Sequence, residues 1–143
     1  SWRVLSPLKD ASGAEDSNDA SIAILWQDAN FNFLSMADTG ERAQMRMATD
    51  SSWINQIAED SKPLILKVAH HGSADQFGEL IEALDPEVSI ISAGKQNSYG
   101  HPTDRTLKIL ESTGSSIVRT DRQGSIALAH LDGALVMANS PRG

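Results

Sequence analysis

Apolar residues along this chain fall mostly in short runs broken by turn formers, and only some stretches repeat at helical spacing. Trp2-Arg3-Val4-Leu5 predicts a short strand. Ile22-Ala23-Ile24-Leu25-Trp26 is apolar at every position, the pattern of a strand covered on both faces. Asp28-Ala29-Asn30 then turns the chain, and residues 31–36 return antiparallel. Leu64-Ile65-Leu66-Lys67-Val68-Ala69 predicts a central strand that His70-His71-Gly72-Ser73 brings to an end. Residues 88–92 and 117–120 read as further strands. Residues 125–130 and 134–138 read as a closing hairpin across Leu131-Asp132-Gly133.

Helical spacing occupies the intervals. Residues 41–48 and 53–58 predict two short helices, with Asp38 placed to cap the first. Phe77, Leu80, Ile81 and Leu84 form one apolar stripe, predicting a helix over 75–84. Pro102-Thr103 opens another helix, with Leu107 and Leu110 inward and Gly114 at its end. Residues 6–18 read as a polar loop, 121–124 as a turn and 139–143 as a frayed tail. The order is strand-rich first, then alternating strand and helix, then a hairpin. It predicts a mixed α/β (α+β layered) domain whose sheet is covered by helices on one face.

Composition narrows the function. At 143 residues the chain makes one domain with a real core. Its net charge of −7 gives no support to a broad nucleic-acid-binding surface. A nuclease remains compatible, because bound cations offset charge locally. No run approaches the ~18 apolar residues of a membrane span. The first residues lack a signal-peptide pattern. Cysteine is absent, so any metal must be held by His, Asp or Glu.

Candidate chemistry gathers where strands end. Asp38, His70-His71 and His101 all follow apolar runs, the place where open α/β sheets put their sites. Imidazoles with a carboxylate suit Zn²⁺, or a harder set Mn²⁺. Each residue also has an ordinary reading. Asp38 serves as a helix cap, a His-His pair as one surface and one hydrogen-bonded ring, and Gly100-His101-Pro102 as a rigid loop. Ser73 reads as a turn former or as a nucleophile activated by His71. Tyr99 reads as loop packing or as a polar contact to substrate. His130, inside an alternating strand, reads as structural or exposed.

Taken together, Asn18-Asp19-Ala20-Ser21, Met36-Ala37-Asp38, Leu66-Lys67-Val68-Ala69-His70-His71-Gly72-Ser73 and Asn97-Ser98-Tyr99-Gly100-His101-Pro102 resemble the metallo-β-lactamase-fold hydrolases. The group with the strongest likeness comprises the C-terminal domains of ComEC-type competence DNA-uptake proteins. Thr120-Asp121-Arg122-Gln123-Gly124-Ser125 is similar to that group's closing turn. The resemblance implies a metallo-β-lactamase-like αββα sandwich, of which residues 1–143 form the C-terminal half without the N-terminal one. It implies a metal-dependent hydrolase acting on phosphodiesters, DNA among them, or alternatively on a lactone or thioester; a third reading is a metal-free interaction module. Asp38 would bridge metals, although the family's usual glycine before it is here Ala37. His101 would be the last metal histidine. His70 and His71 would act as ligand or transition-state stabiliser, with His71 favoured for the metal. Ser73 and Tyr99 would line the substrate. Two divalent ions, Zn²⁺ or Mn²⁺, would complete the whole domain. The family's first ligand cluster, a His-x-His-x-Asp-His motif, has no counterpart here. The implied partner is therefore the missing half, another chain or a second copy of this one.

Overall fold

Strands too short to be stable alone gain by joining edge to edge, and six do so here in chain order. They are β1 (Trp2–Ser6), β2 (Ala23–Gln27), β3 (Asn32–Ser35), β4 (Leu64–Lys67), β5 (Val88–Ile91) and β6 (Ser116–Arg119). Pairing is antiparallel from β1 to β3 and parallel from β3 to β6. The parallel half needs crossovers, and helices provide them. The helices are α1 (Glu41–Ala48) and α2 (Ser52–Glu59) after β3, α3 (Gly78–Leu84) after β4, and α4 (Asp104–Ser112) after β5. A single helical turn, α5 (Thr120–Gln123), leads into the hairpin β7 (Ser125–Leu131) and β8 (Ala134–Ser140). The structure, a computed structural model, describes residues 1–7 and 17–140. Residues 8–16 of the expected loop and 141–143 of the expected tail lie outside the described residues, whereas Asn139 and Ser140, expected to fray, belong to β8.

Period-two alternation sorts side chains onto two faces. Leu25, Leu34, Leu66 and Ile91 point to the helical side and are buried there with Met47, Trp53, Ile57, Leu80, Ile81, Leu84 and Leu110. The Trp53 indole also donates to the Met47 carbonyl at 3.0 Å, so its burial leaves no orphan donor. Ile65, Val88 and Val118 face the other way, with Phe33, Ile90 and the hairpin's Ile126, Leu128 and Leu135 packed against them. Helices thus cover one face, as the alternation of elements predicts.

The hairpin covers only part of the second face. Trp2 and Trp26 are register partners across β1 and β2 and are 65% and 53% exposed. Val4 beside them is also exposed. Large apolar side chains in a row on a sheet mark a surface that ordinarily meets another layer.

Three expectations are corrected. Helix α3 starts at Gly78, three residues later than the apolar stripe implies, because Asp75 and Gln76 are used elsewhere. Asp38 does not cap α1: the capping residue is Gly40, which has no side chain to offer. The cap comes instead from Asp75, whose Oδ1 accepts the Glu41 N–H at 3.1 Å. A Cβ on residue 40 would fall 2.3 Å from Asp75 Oδ2, so glycine makes room for the cap. The stretch at 121–124, read as a turn, belongs largely to the helical turn α5.

This arrangement predicts that Asp75→Ala lowers stability by about 1 kcal/mol, the usual worth of a cap. Gly40→Ala displaces the same carboxylate, so the double variant should lose less than the sum of the two. Urea unfolding of the four proteins measures both; full additivity would mean that the side chains act separately.

Candidate functional site

The residues singled out at strand ends are carried by three loops on the carboxyl edge of the parallel strands. After β3 the chain passes through Ala37, at φ +48°, to Asp38. After β4 it makes a tight turn over Ala69–Gly72, with His70 at φ 45°, ψ 47° and His71 at φ 55°, ψ 19°. Left-handed backbone costs roughly 1–2 kcal/mol per residue for side chains with a Cβ. Such strain persists only where the surroundings enforce it, and it clusters at functional sites. One enforcing bond runs from the His70 N–H, which donates to the Ala37 carbonyl at 2.9 Å and ties the second loop to the first.

The third loop is pressed against the second. Gly72 has φ +81°, and a Cβ there would lie 2.6 Å from the Pro102 Cβ. Thr103 N–H donates to the Gly72 carbonyl at 2.9 Å. Asn97 holds His101 from both sides, donating to its carbonyl at 2.8 Å and accepting its N–H at 3.0 Å. The imidazoles of His70 and His101 consequently stand 5.7 Å apart, centre to centre, and those of His70 and His71 stand 6.3 Å apart.

His71 is oriented by a carbonyl. Its Nδ1 lies 2.7 Å from the Ser92 oxygen, which can only accept, so Nδ1 carries the proton. In the neutral ring Nε2 is then a bare lone pair, and it faces Asp38 Oδ1 at 3.7 Å. Both side chains are about half exposed, so a water, a proton or a cation can sit between the two acceptors. The same orientation by a backbone carbonyl is what metal-binding histidines use. His70 Nδ1 and His101 Nδ1 are buried and have no hydrogen-bond partner among the described residues. Partial burial, with the neighbouring charges of His70 and His71, holds the His101 pKa below its ordinary 6.5. Its neutral form is therefore the resting one at pH 7. Beside these rings, His71, Ser92, Asn97, Tyr99, His101 and Thr120 line an open cavity of about 450 Å³.

The expected residues divide as follows. Asp38 and His71 are brought face to face, with His70 and His101 beside them. Tyr99 stacks on His101, with centroids 6.0 Å apart and planes at 17°, and is 82% exposed. Ser73 is not brought into the cavity: it is buried, and its Oγ accepts the Asp75 N–H at 3.2 Å, which is the turn-forming reading. Among the described residues no three His, Asp or Glu side chains converge as a closed metal-binding group.

Two participants escape a reading by residue pattern. Asn97 looks like any loop asparagine until its double clamp on His101 is seen. Lys67 ends β4 and donates to the Val68 carbonyl at 2.9 Å. Burial pushes its pKa down, while the charge of Asp38 pulls it partly back. A lysine closing an otherwise apolar strand was the available signal.

Two outcomes follow. Ala37→Gly relieves a left-handed alanine and should raise stability by about 0.5–1 kcal/mol in urea titrations. No gain would mean that residue 37 is not strained. His101 adds a pH dependence whose sign is fixed by its lowered pKa. The unfolded chain takes up that proton first, so the contribution is present above about pH 6.5 and is lost as pH falls toward the folded value. Unfolding midpoints should drop across that window, and less steeply in His101→Gln.

No family model matches the chain, and no solved structure matches it. It is 30% identical over 126 residues to ComE operon protein 3 of Bacillus subtilis, a match that covers 87% of this chain. The chain spans only 15% of the length of that relative. What these residues share is thus a relationship to one segment of a competence-operon protein.

Proposed function

We propose that this chain is the C-terminal half of a metallo-β-lactamase-like sandwich and contributes Asp38, His71 and His101 to a divalent-metal site that hydrolyses phosphodiesters, DNA being the substrate. The observation that carries the reading is the opposed pair, His71 Nε2 and Asp38 Oδ1 at 3.7 Å, with the far side of His71 held by the Ser92 carbonyl. The Nδ1 of His101, without a hydrogen-bond partner among the described residues, is a further nitrogen of the right chemistry, although the three side chains do not converge as they stand. These side chains suit Zn²⁺ or Mn²⁺, and because they do not close a set among the described residues, the remaining ligands come from outside them.

A divalent ion in this place supplies an acidified water and a counter-charge for the scissile group. The chain's own residues do the rest. Ser92 keeps the His71 lone pair aimed inward. Asn97 keeps His101 in place. His70, whose ring stands 5.7 Å from that of His101, would donate to the oxygen on which charge develops. Tyr99 offers an exposed aromatic edge at the cavity mouth for substrate. The bare strip of Trp2, Val4 and Trp26 is where the complementary half packs, supplied by upstream sequence, another chain or a second copy.

A second reading keeps the site and changes the substrate to a lactone or thioester; the acidic balance, net −7, favours it. A competence-operon relative is consistent with DNA and weighs the other way.

Plasma mass spectrometry on this chain and on an upstream-extended form tests the reading. The extended form should hold about two metals per domain, as two-metal sites do, and His71→Ala should lose part of that content. The loaded protein should then cleave DNA, with binding that weakens as salt rises. Turnover of a lactone or thioester without DNA cleavage selects the second reading. An extended form empty of Zn²⁺ and Mn²⁺ overturns both and leaves an interaction module.

A further inference from the structure

Beneath the turn that carries His70 and His71 lie two side-chain amides for which the proposed chemistry has no use. Gln44, from α1, and Gln76, just before α3, are both fully buried. Gln44 Nε2 donates to the Thr39 carbonyl at 2.9 Å and to Gln76 Oε1 at 3.1 Å, and Gln44 Oε1 accepts the Phe77 N–H at 2.9 Å. Gln76 Nε2 donates to the carbonyls of Ala69 at 3.1 Å and Ser73 at 3.2 Å. Every donor and both oxygens are engaged, so the amides form one closed unit with a single orientation.

The carbonyls it grips are informative. Thr39 is the residue after Asp38. Ala69 and Ser73 bracket the left-handed His70-His71 pair. Thr39, Ser73 and Thr106 are buried around the two amides, and Asn32 and Ser89 are buried elsewhere in the sheet. Buried carbonyls left by an irregular turn need donors, and here one pair of side chains supplies them to both loops at once. Thr106 Oγ1 also donates to the Ser73 carbonyl, at 2.5 Å, but it touches only one of the two loops.

We propose that Gln44 and Gln76 are positioning residues, a clasp that fixes the Asp38 loop relative to the His70–His71 turn and so sets the 3.7 Å separation between Asp38 and His71. Its functional meaning rests on the reading of that pair given above; its geometry does not.

Side-chain ¹⁵N NMR of the histidines in metal-free protein provides the test. In the wild type, His71 should be in the Nδ1–H form because of Ser92. Gln44→Met and Gln76→Met keep volume and remove the clasp. Each should remain folded by circular dichroism and methyl spectra, yet show His71 as a mixture of tautomers, with its Nδ1 proton exchanging ~10-fold faster or more, as expected of a loosened local unit. Thr106→Val should leave His71 unchanged. Folded methionine variants with a wild-type His71 signal overturn the proposal, as does an equal shift in Thr106→Val.

If the methionine variants do not fold, exchange in the wild type decides. The Gln76 carboxamide and the His70 amide should be released in one opening, within about twofold in rate, and a difference of ~10-fold or more overturns the clasp. Neither readout uses metal. A chain that never takes up Zn²⁺ therefore defeats the hydrolase reading while leaving this inference to stand or fall by itself.

Discussion

The hydrogen bond from the His70 N–H to the Ala37 carbonyl, 2.9 Å long, is the constraint on which the strand-end edge depends. It forms only because Ala37, His70 and His71 all accept left-handed backbone. In exchange for that strain, two loops on either side of α1, α2 and β4 are locked together. Asp38 then meets His71 instead of trailing into α1, and the aliphatic core beneath supplies the stability that the edge consumes.

The sheet divides its labour between its faces. The helical face is filled, with Leu34, Leu66 and Ile91 fully buried. The opposite face holds a smaller cluster under the hairpin and leaves a tryptophan pair open. A chain with a net charge of −7 thus carries an apolar, half-covered sheet face, and that strip is where it can associate.

Much of the architecture was legible in the residues. Eight strands and four helices among the described residues follow from apolar runs and stripes, because burial imposes its own period on sequence. The three loops bearing Asp38, His70-His71 and His101 were visible as polar residues directly after those runs. What escaped was side-chain work across long separations. Asp75 reads as the start of the helix that follows it, yet it caps α1; nothing local distinguishes a carboxylate that serves its own helix from one that serves another. Gln44 and Gln76 look like polar surface on their helices, and only the irregular turn between β4 and α3 explains their burial. Ser73 illustrates the converse, a residue with reactive chemistry that the fold spends on its own backbone.

The contact between Gly72 and Pro102 has an evolutionary consequence. Loops at a sheet edge ordinarily vary in length independently, which is how one scaffold acquires many specificities. Here the loop after β4 and the loop after β5 meet where a single added Cβ would stand 2.6 Å from its neighbour. Insertions on either side of that contact would separate His71 from His101, so the two loops must diversify together or leave this point alone. Freedom to vary lies further out, at Tyr99 and its exposed neighbours, with Asn97 excepted because it clamps His101. Change in what the cavity accepts can therefore accumulate there without disturbing the histidines behind it.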